Sequence, residues 1–200
     1  METRTQRGFT LFELLVTILV AGVIFGLGVP NLLEFSRNNA ITAVANDFVT
    51  SIQNARNAAV TRRLPVTLCA SPNPVDAAPT CSPDATGTNG GYIVWVDDNG
   101  DAVVDGGEQL LIQRDDPEDI AVFANNGYIN WNGTGFRNDI AGLGLSVRLI
   151  LFCDARGNTI ASGTLSAARA IRVSPTGRGA VENEVARIAP IVTALGAACP

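Results

Sequence analysis

The sequence predicts an α+β protein in which a long N-terminal helix packs on an antiparallel β-sheet head. Three observations support this: an apolar run from residue 9 to residue 30, an amphipathic stretch after it, and short apolar runs separated by Gly, Pro, Asn and Asp beyond Pro65. The predicted segments are a leader, 1–8, a transmembrane half of the helix, 9–30, an amphipathic half, 31–63, and a head, 64–200.

The apolar run has the length that spans a bilayer, about 20 residues. Arg4 and Arg7 precede it and favour a cytoplasmic N-terminus, with the head outside the cytoplasm. Glu13 interrupts the run, and an acid in hydrocarbon is costly unless it finds a partner. A secretory signal peptide would not place an acid in its apolar core, and it would end in a small-residue cleavage site. A plain signal anchor with an accidental acid is the alternative.

The stretch Gly8-Phe9-Thr10-Leu11-Phe12-Glu13 resembles the processing site of type IV prepilins and type II secretion pseudopilins. The resemblance implies that a prepilin peptidase cuts between Gly8 and Phe9, and that Phe9 is then N-methylated. It also implies that Glu13 pairs with the N-terminal amine of a neighbouring subunit. Such a pairing is physically reasonable, because an ammonium and a carboxylate in a dry core are each costly alone and tolerable together.

The second half of the helix is amphipathic. Apolar residues recur at intervals of three and four and predict a face buried against the head: Ile41, Val44, Phe48, Ile52, Ala55 and Ala59. Pro30 is expected to loosen the helix as it leaves the bilayer. Pro65 predicts its end, because the residue before a proline avoids helical geometry, so the helix is expected from Phe9 to about Arg63.

The head is predicted to be β-structure. The expected strands are Val66–Cys69, Tyr92–Val96, Gln109–Gln113, Ile120–Ala124, Tyr128–Trp131, Leu145–Phe152 and Ala170–Ser174. Residues 71–91 are rich in Pro, Ser, Thr and Gly and predict a loop. The head resembles the FimT/FimU and GspH group of minor pilins and pseudopilins, through 65–69, 95–97, 152–157 and 171–178.

Four cysteines are too widely spaced for a zinc or redox CxxC site. In an exported chain an even number suggests two disulfides. Of the three possible pairings, Cys69–Cys81 with Cys153–Cys199 is favoured, because the first pair closes a short Pro-rich loop. Buried thiols in a cytosolic protein are the alternative. The chain has no histidine, so most nucleophilic triads and histidine–metal sites are ruled out.

An acidic stretch, 97–108, has the oxygen spacing of a calcium loop. The candidate calcium ligands are Asp97, Asn99, Asp101, Asp105 and Glu108. Two features disagree with this interpretation: Ala102 stands where such a loop wants glycine, and the flanking residues look like strands. The alternative is a polar turn between two strands, with no cofactor.

Gly177-Arg178-Gly179-Ala180 partly matches the GRxR element through which some FimT proteins bind DNA. The second arginine is replaced by Ala180, although Arg169, Arg172 and Arg187 could supplement Arg178. The chain is acidic, with a net charge of −5, so we expect weak or absent DNA binding. The alternative to a DNA contact is a glycine-rich turn after a strand.

The sequence therefore predicts a structural subunit and not an enzyme. The expected function is that of a minor pilin or pseudopilin in type IV pilus biogenesis or type II secretion. Its expected partners are other pilin-like subunits, prepilin peptidase and the inner membrane, with the head in the periplasm or in an extracellular pilus. A DNA-binding minor pilin for natural transformation is the alternative function.

Overall fold

The computed structural model describes residues 8–83 and 91–199. Most of the expected leader, including Arg4 and Arg7, lies outside these residues. The helices and strands are α1 Leu11–Arg62, β1 Val66–Ala70, β2 Tyr92–Val96, β3 Leu110–Arg114, β4 Ala121–Ala124, β5 Tyr128–Trp131, β6 Arg137–Asn138, β7 Leu149–Cys153, β8 Ile160–Ser162, β9 Leu165–Val173, β10 Gly179–Glu184 and α2 Val185–Leu195. This is the α+β fold predicted from the sequence, which is thereby confirmed.

The chain divides into two compact units at Ala40 and Ile41. The first contains the apolar part of α1, which passes through Pro30 without ending and exposes large apolar side chains on all sides. This helix is the one span in the described residues that is long and apolar enough to cross a membrane. Burial of α1 begins at Ile41, which is the first residue of the predicted buried face.

The second unit contains two antiparallel sheets. Sheet 1 has the order β3-β2-β1-β5-β6, and sheet 2 has the order β10-β9-β7-β4, with β8 paired to β9. Side chains alternate across β7: Ile150 and Phe152 join the core that also contains the buried face of α1, whereas Leu151 and Cys153 join a second core under α2. Strand β7 is thus buried on both faces.

Five of the six predicted helix core residues are buried, and Val44 is half-buried. One predicted strand, Leu145–Phe152, was wrong in its first half, because β7 begins only at Leu149. Side chains take the hydrogen bonds there instead: Asn126 Nδ2 donates to the carbonyls of Leu143 and Leu145, and Asn125 Oδ1 accepts from the backbone of residues 148 and 149. Local hydrogen bonds to side chains here take the place of the backbone hydrogen bonds between paired strands.

Strands β6, β8 and β10 and helix α2 were not predicted from the sequence. The signal for α2 was present, since Ile188, Ile191 and Leu195 recur at helical spacing and face sheet 2. Pro190 lies inside the helix, and a helix was not predicted there because proline normally breaks helices.

Candidate functional site

The start of α1 brings together the residues of the expected processing and assembly site. Gly8, Phe9 and Thr10 are exposed and non-helical, and the helix begins at Leu11. The bond between Gly8 and Phe9 therefore lies in an exposed, non-helical segment directly ahead of the apolar helix. Phe9 is 88% exposed.

Thr10 and Glu13 form a reciprocal pair at this end of the helix. The backbone N–H of Thr10 donates to Glu13 Oε2 at 2.9 Å, and the Thr10 hydroxyl donates to the same oxygen at 3.0 Å. The backbone N–H of Glu13 in turn donates to the Thr10 hydroxyl at 3.2 Å. This is a capping box, in which the first and fourth residues satisfy each other's free groups.

The sequence analysis assigned Glu13 but not Thr10. The T-x-x-E spacing was the signal that could have identified it, because this spacing before an apolar run indicates a capping box. Glu13 thus has an intramolecular partner before any neighbour arrives. Thr10 donates both of its hydrogen bonds to Oε2 of Glu13, and within residues 8–83 and 91–199 no hydrogen bond is made to Oε1.

Thr10→Val is expected to reduce assembly about fivefold, because losing a helix cap costs about 1 kcal/mol. Thr10→Ser keeps the hydroxyl and is the matched control, expected to behave like the parent. The measurement is the fraction of the chain recovered in sheared filaments. Equal recovery of the valine and serine variants would exclude a contribution from the hydroxyl.

The acidic loop is organised by Asp97, which is fully buried. Its carboxylate accepts from the Thr67 hydroxyl at 2.6 Å and from the backbone N–H groups of Gly100, Asp101 and Ala102. Glu108 accepts from the backbone of Asp98 and Asp105, so this carboxylate also closes the loop. Ala102 has a positive φ of 60°, the conformation for which a calcium loop uses glycine.

The five candidate calcium ligands form hydrogen bonds with one another and with the loop backbone. Within the described residues, no group of three or more acidic side chains is placed to hold a metal ion. The amide of Asn99 donates to the carboxylates of Asp101 and Asp105, and so fills the space between them. Calcium binding stays a prediction of the sequence; it would have to displace these hydrogen bonds.

Asp97→Ala is expected to destabilise the head by about 3 kcal/mol, because it leaves the Thr67 hydroxyl and the buried N–H of Ala102 without their carboxylate acceptor. Asp98→Ala is the control, since the Asp98 side chain is exposed on the same loop. Thermal unfolding of the full chain in detergent gives the measurement. Similar melting temperatures for the two variants would contradict the organising role of Asp97.

Arg178 lies in the turn that joins β9 to β10. The turn requires Gly177, which has a φ of +75°, and a Cβ there would lie 2.5 Å from Trp131 Nε1. The same indole nitrogen donates to the Gly177 carbonyl at 3.0 Å. The backbone conformation and the contact with Trp131 therefore explain why position 177 is a glycine, whether or not a ligand binds there.

The arginines expected to supplement Arg178 are engaged elsewhere. Arg172 and Arg187 both form ion pairs with Glu182, and Arg187 also pairs with Glu184. Arg169 donates to the carbonyls of Ser166 and Ala168, and burial lowers its pKa. A duplex would meet the acidic partners Glu182 and Glu184 beside Arg172 and Arg187.

Duplex DNA is therefore expected to show no retardation by the full chain in detergent at physiological salt, and Arg178→Ala should change nothing. Gel retardation at low and high salt gives the measurement, because phosphate contacts weaken steeply with salt. Salt-sensitive retardation that is lost in Arg178→Ala would overturn this expectation and favour the DNA-binding alternative.

Two disulfides fix the head in the pairing that the sequence favours. Cys69–Cys81 joins β1 to the Pro-rich loop, and Cys153–Cys199 joins β7 to the segment after α2. The first bond belongs to a cluster on the outer face of sheet 1, and the second to the core under α2.

Two profiles of known protein families match the sequence. The sequence matches the family profile of the type II transport protein GspH over residues 44–177, and that of the prokaryotic N-terminal methylation motif over residues 3–29. A search of curated proteins finds no match.

Two crystal structures of the type IV minor pilin FimU from Pseudomonas aeruginosa strain PAO1 are similar to this chain at 13% identity. One has a TM-score of 0.43 and covers 70% of this chain and 91% of FimU. The other has a TM-score of 0.42, with 74% and 92% covered. Strand β10 and helix α2 follow residue 177, beyond the region that matches the family profile.

Proposed function

Because the chain belongs to the GspH family of type II transport proteins, we propose that it is processed at its N-terminus and assembled into a filament through Glu13. The chain is a minor pilin or pseudopilin, acting in a type IV pilus or in type II secretion. Members of this family are structural subunits, and we extend this to the chain itself, which is then not an enzyme.

Processing is proposed between Gly8 and Phe9, by prepilin peptidase. The exposed, non-helical segment of residues 8–10 supports this, because a peptidase needs access to a backbone that is not held in a helix at the bond that it cuts. Cleavage makes Phe9 the new N-terminus, and methylation of its amine is consistent with the match to the methylation motif. The N-terminus would face the cytoplasm and the head the periplasm, in accordance with the arginines ahead of the apolar run.

Assembly is proposed to use the free oxygen of Glu13. The observation that carries this proposal is the capping box, which holds the carboxylate by one oxygen, Oε2. The N-terminal ammonium of a neighbouring subunit can then approach Oε1 without displacing Thr10. In hydrocarbon the ammonium and the carboxylate are each costly alone, and their pairing lowers that free-energy cost, so assembly is favoured.

Mass spectrometry of the chain from cells with and without prepilin peptidase tests the proposal. The parent should lose residues 1–8 and gain a methyl group only when the peptidase is present. Gly8→Val should remain a full-length precursor, whereas the control Gly22→Ala should be processed normally, since an added methyl group at Gly22 meets open space. Cleavage at another bond, or processing of Gly8→Val, would refute it.

A further inference from the structure

A polar pocket lies within the second unit, between α1 and the turn that joins β9 to β10. Its volume is about 360 Å³. The described lining contains two arginines and two amides and no acid, and the residues that form it are Gln53, Arg56, Asn57, Gly177, Arg178 and Gly179. This pocket is called the arginine pocket below. Its chemistry is that of an anion site, because the four polar side chains in its wall all carry hydrogen-bond donors.

Arg56 is held in this pocket by one edge of its guanidinium group. Its Nε donates to the carbonyl of Gly135 at 3.0 Å and to that of Thr176 at 3.1 Å. These carbonyls belong to the β5–β6 and β9–β10 connections, so the side chain ties α1 to both. The half-buried guanidinium plane therefore has little freedom, which lowers the entropy cost of binding a ligand.

The other edge of Arg56 is unused within the chain. In residues 8–83 and 91–199, neither Nη1 nor Nη2 of Arg56 makes a hydrogen bond or an ion pair. The exposed side chain of Arg178, which lines the same pocket, makes none among these residues either. A guanidinium group whose Nε is occupied still presents its two Nη atoms side by side, and this geometry binds the two oxygens of a carboxylate.

A single carboxylate fits the arginine pocket better than the backbone of a duplex does. A duplex is bound through several phosphates at once, by positive charge spread along its path. The arginines that flank the pocket on β9 and α2, Arg172 and Arg187, are both paired with Glu182. Two free guanidinium groups in one recess beside this acid suit one protruding acidic side chain.

The source of that side chain is a different subunit. A minor subunit is outnumbered in its filament by other pilin-like subunits, so its neighbours are chains other than its own copies. The pocket also includes Gln53 and Asn57, which are exposed on α1. A subunit that is assembled alongside this helix can therefore reach the pocket directly.

We propose that the arginine pocket binds an aspartate or glutamate side chain of a different pilin-like subunit in the same filament. The carboxylate meets the Nη edge of Arg56 and the guanidinium group of Arg178. The amides of Gln53 and Asn57 supply further donors. The inference rests on the proposed function, because it needs neighbours in a filament, and it adds a contact of the head to the one made by Glu13.

The absence of lysine from the chain provides a direct test. Arg178→Lys introduces a single lysine amine at the pocket, and the chain should fold normally because Arg178 is exposed. Sheared filaments that contain this variant are treated with a water-soluble carbodiimide, which joins an amine to a carboxylate in contact with it, and are digested with trypsin. The expected product joins residues 173–187 of this chain to an acidic residue of another pilin-like subunit.

Two controls locate the contact. The parent should give no such product under the same treatment, because it has no lysine. Thr193→Lys places an equivalent amine on the exposed side of α2, outside the pocket. This amine should not couple to the acidic residue that the first variant identifies.

A charge exchange provides the second arm. Arg178→Glu should lower the recovery of the chain in sheared filaments about fivefold, because it places like charges in contact. Replacing the identified acid of the partner by arginine should do the same, and combining the two changes should restore recovery. Thr193→Glu adds an acid outside the pocket and should leave recovery unchanged.

The outcomes separate this inference from the proposed function. If the chain is present in filaments but the introduced amine couples only within its own chain, to a second copy or to no protein, the pocket contact is wrong and the filament role stands. Failure of the combined changes to restore recovery overturns the contact as well. Salt-sensitive retardation of duplex DNA that is lost in Arg178→Ala would assign the pocket to nucleic acid instead. If the chain never enters filaments, the proposed function fails, and this inference fails with it.

Discussion

Glu13→Val is expected to exclude the chain from assembled filaments almost completely, while its head stays folded. In the variant the N-terminal ammonium of a neighbour would enter hydrocarbon with no carboxylate to meet it. Removing one partner of a buried ion pair costs about 3–5 kcal/mol, which corresponds to a loss of more than about a hundredfold. The head should be unaffected, because Glu13 belongs to the other compact unit.

The measurement is immunodetection of the chain in sheared filaments and in the membrane fraction. Glu34→Gln is the matched control, since Glu34 is an exposed acid on the same helix and should assemble like the parent. Mass spectrometry must show that both variants are cleaved after Gly8, so that a processing defect is not mistaken for an assembly defect. Normal recovery of Glu13→Val would refute the assigned role of the carboxylate.

Cys153→Ser with Cys199→Ser should give the largest loss of stability in the head. The bond spans 46 residues, and loop-closure entropy predicts about 4 kcal/mol for a loop of that length, against about 3 kcal/mol for the 12-residue span of Cys69–Cys81. For a domain of this size, 4 kcal/mol lowers the melting temperature by about 10 °C.

Thermal unfolding of both double variants in detergent gives the comparison, and hydrogen exchange locates the effect. Loss of the Cys153–Cys199 bond should speed amide exchange in α2 relative to the parent, and more than it does in α1. The reason is that α2 packs on sheet 2 through few buried side chains, chiefly Ile188 and Ile191. A larger loss from the Cys69–Cys81 variant, or unchanged exchange in α2, would contradict this expectation.

The long helix and most of the strands could be predicted from the sequence because their signals are local. Ile41, Phe48 and Ile52 follow a helical period, and Tyr92–Val96 and Tyr128–Trp131 agree with the observed strands at both ends. The processing motif is equally local, since Gly8, Phe9 and Glu13 lie within six residues.

The remaining features depend on contacts between distant residues. Asp97 looked like a metal ligand by spacing, but its partner Thr67 is 30 residues away, and β1 must pair with β2, which ends just before Asp97, before the carboxylate is enclosed. Asp47 and Arg114, which form an ion pair, are 67 residues apart. No pattern in a single sequence indicates such neighbours.

Because both faces of β7 are buried, the Cys153–Cys199 bond also reports whether β7 is paired in the correct register. If β7 slipped by one residue, Phe152 and Cys153 would exchange faces, and the sulfur would point away from Cys199. A misregistered subunit would keep two thiols that an alkylating reagent can label. Formation of this bond therefore requires the native register of β7.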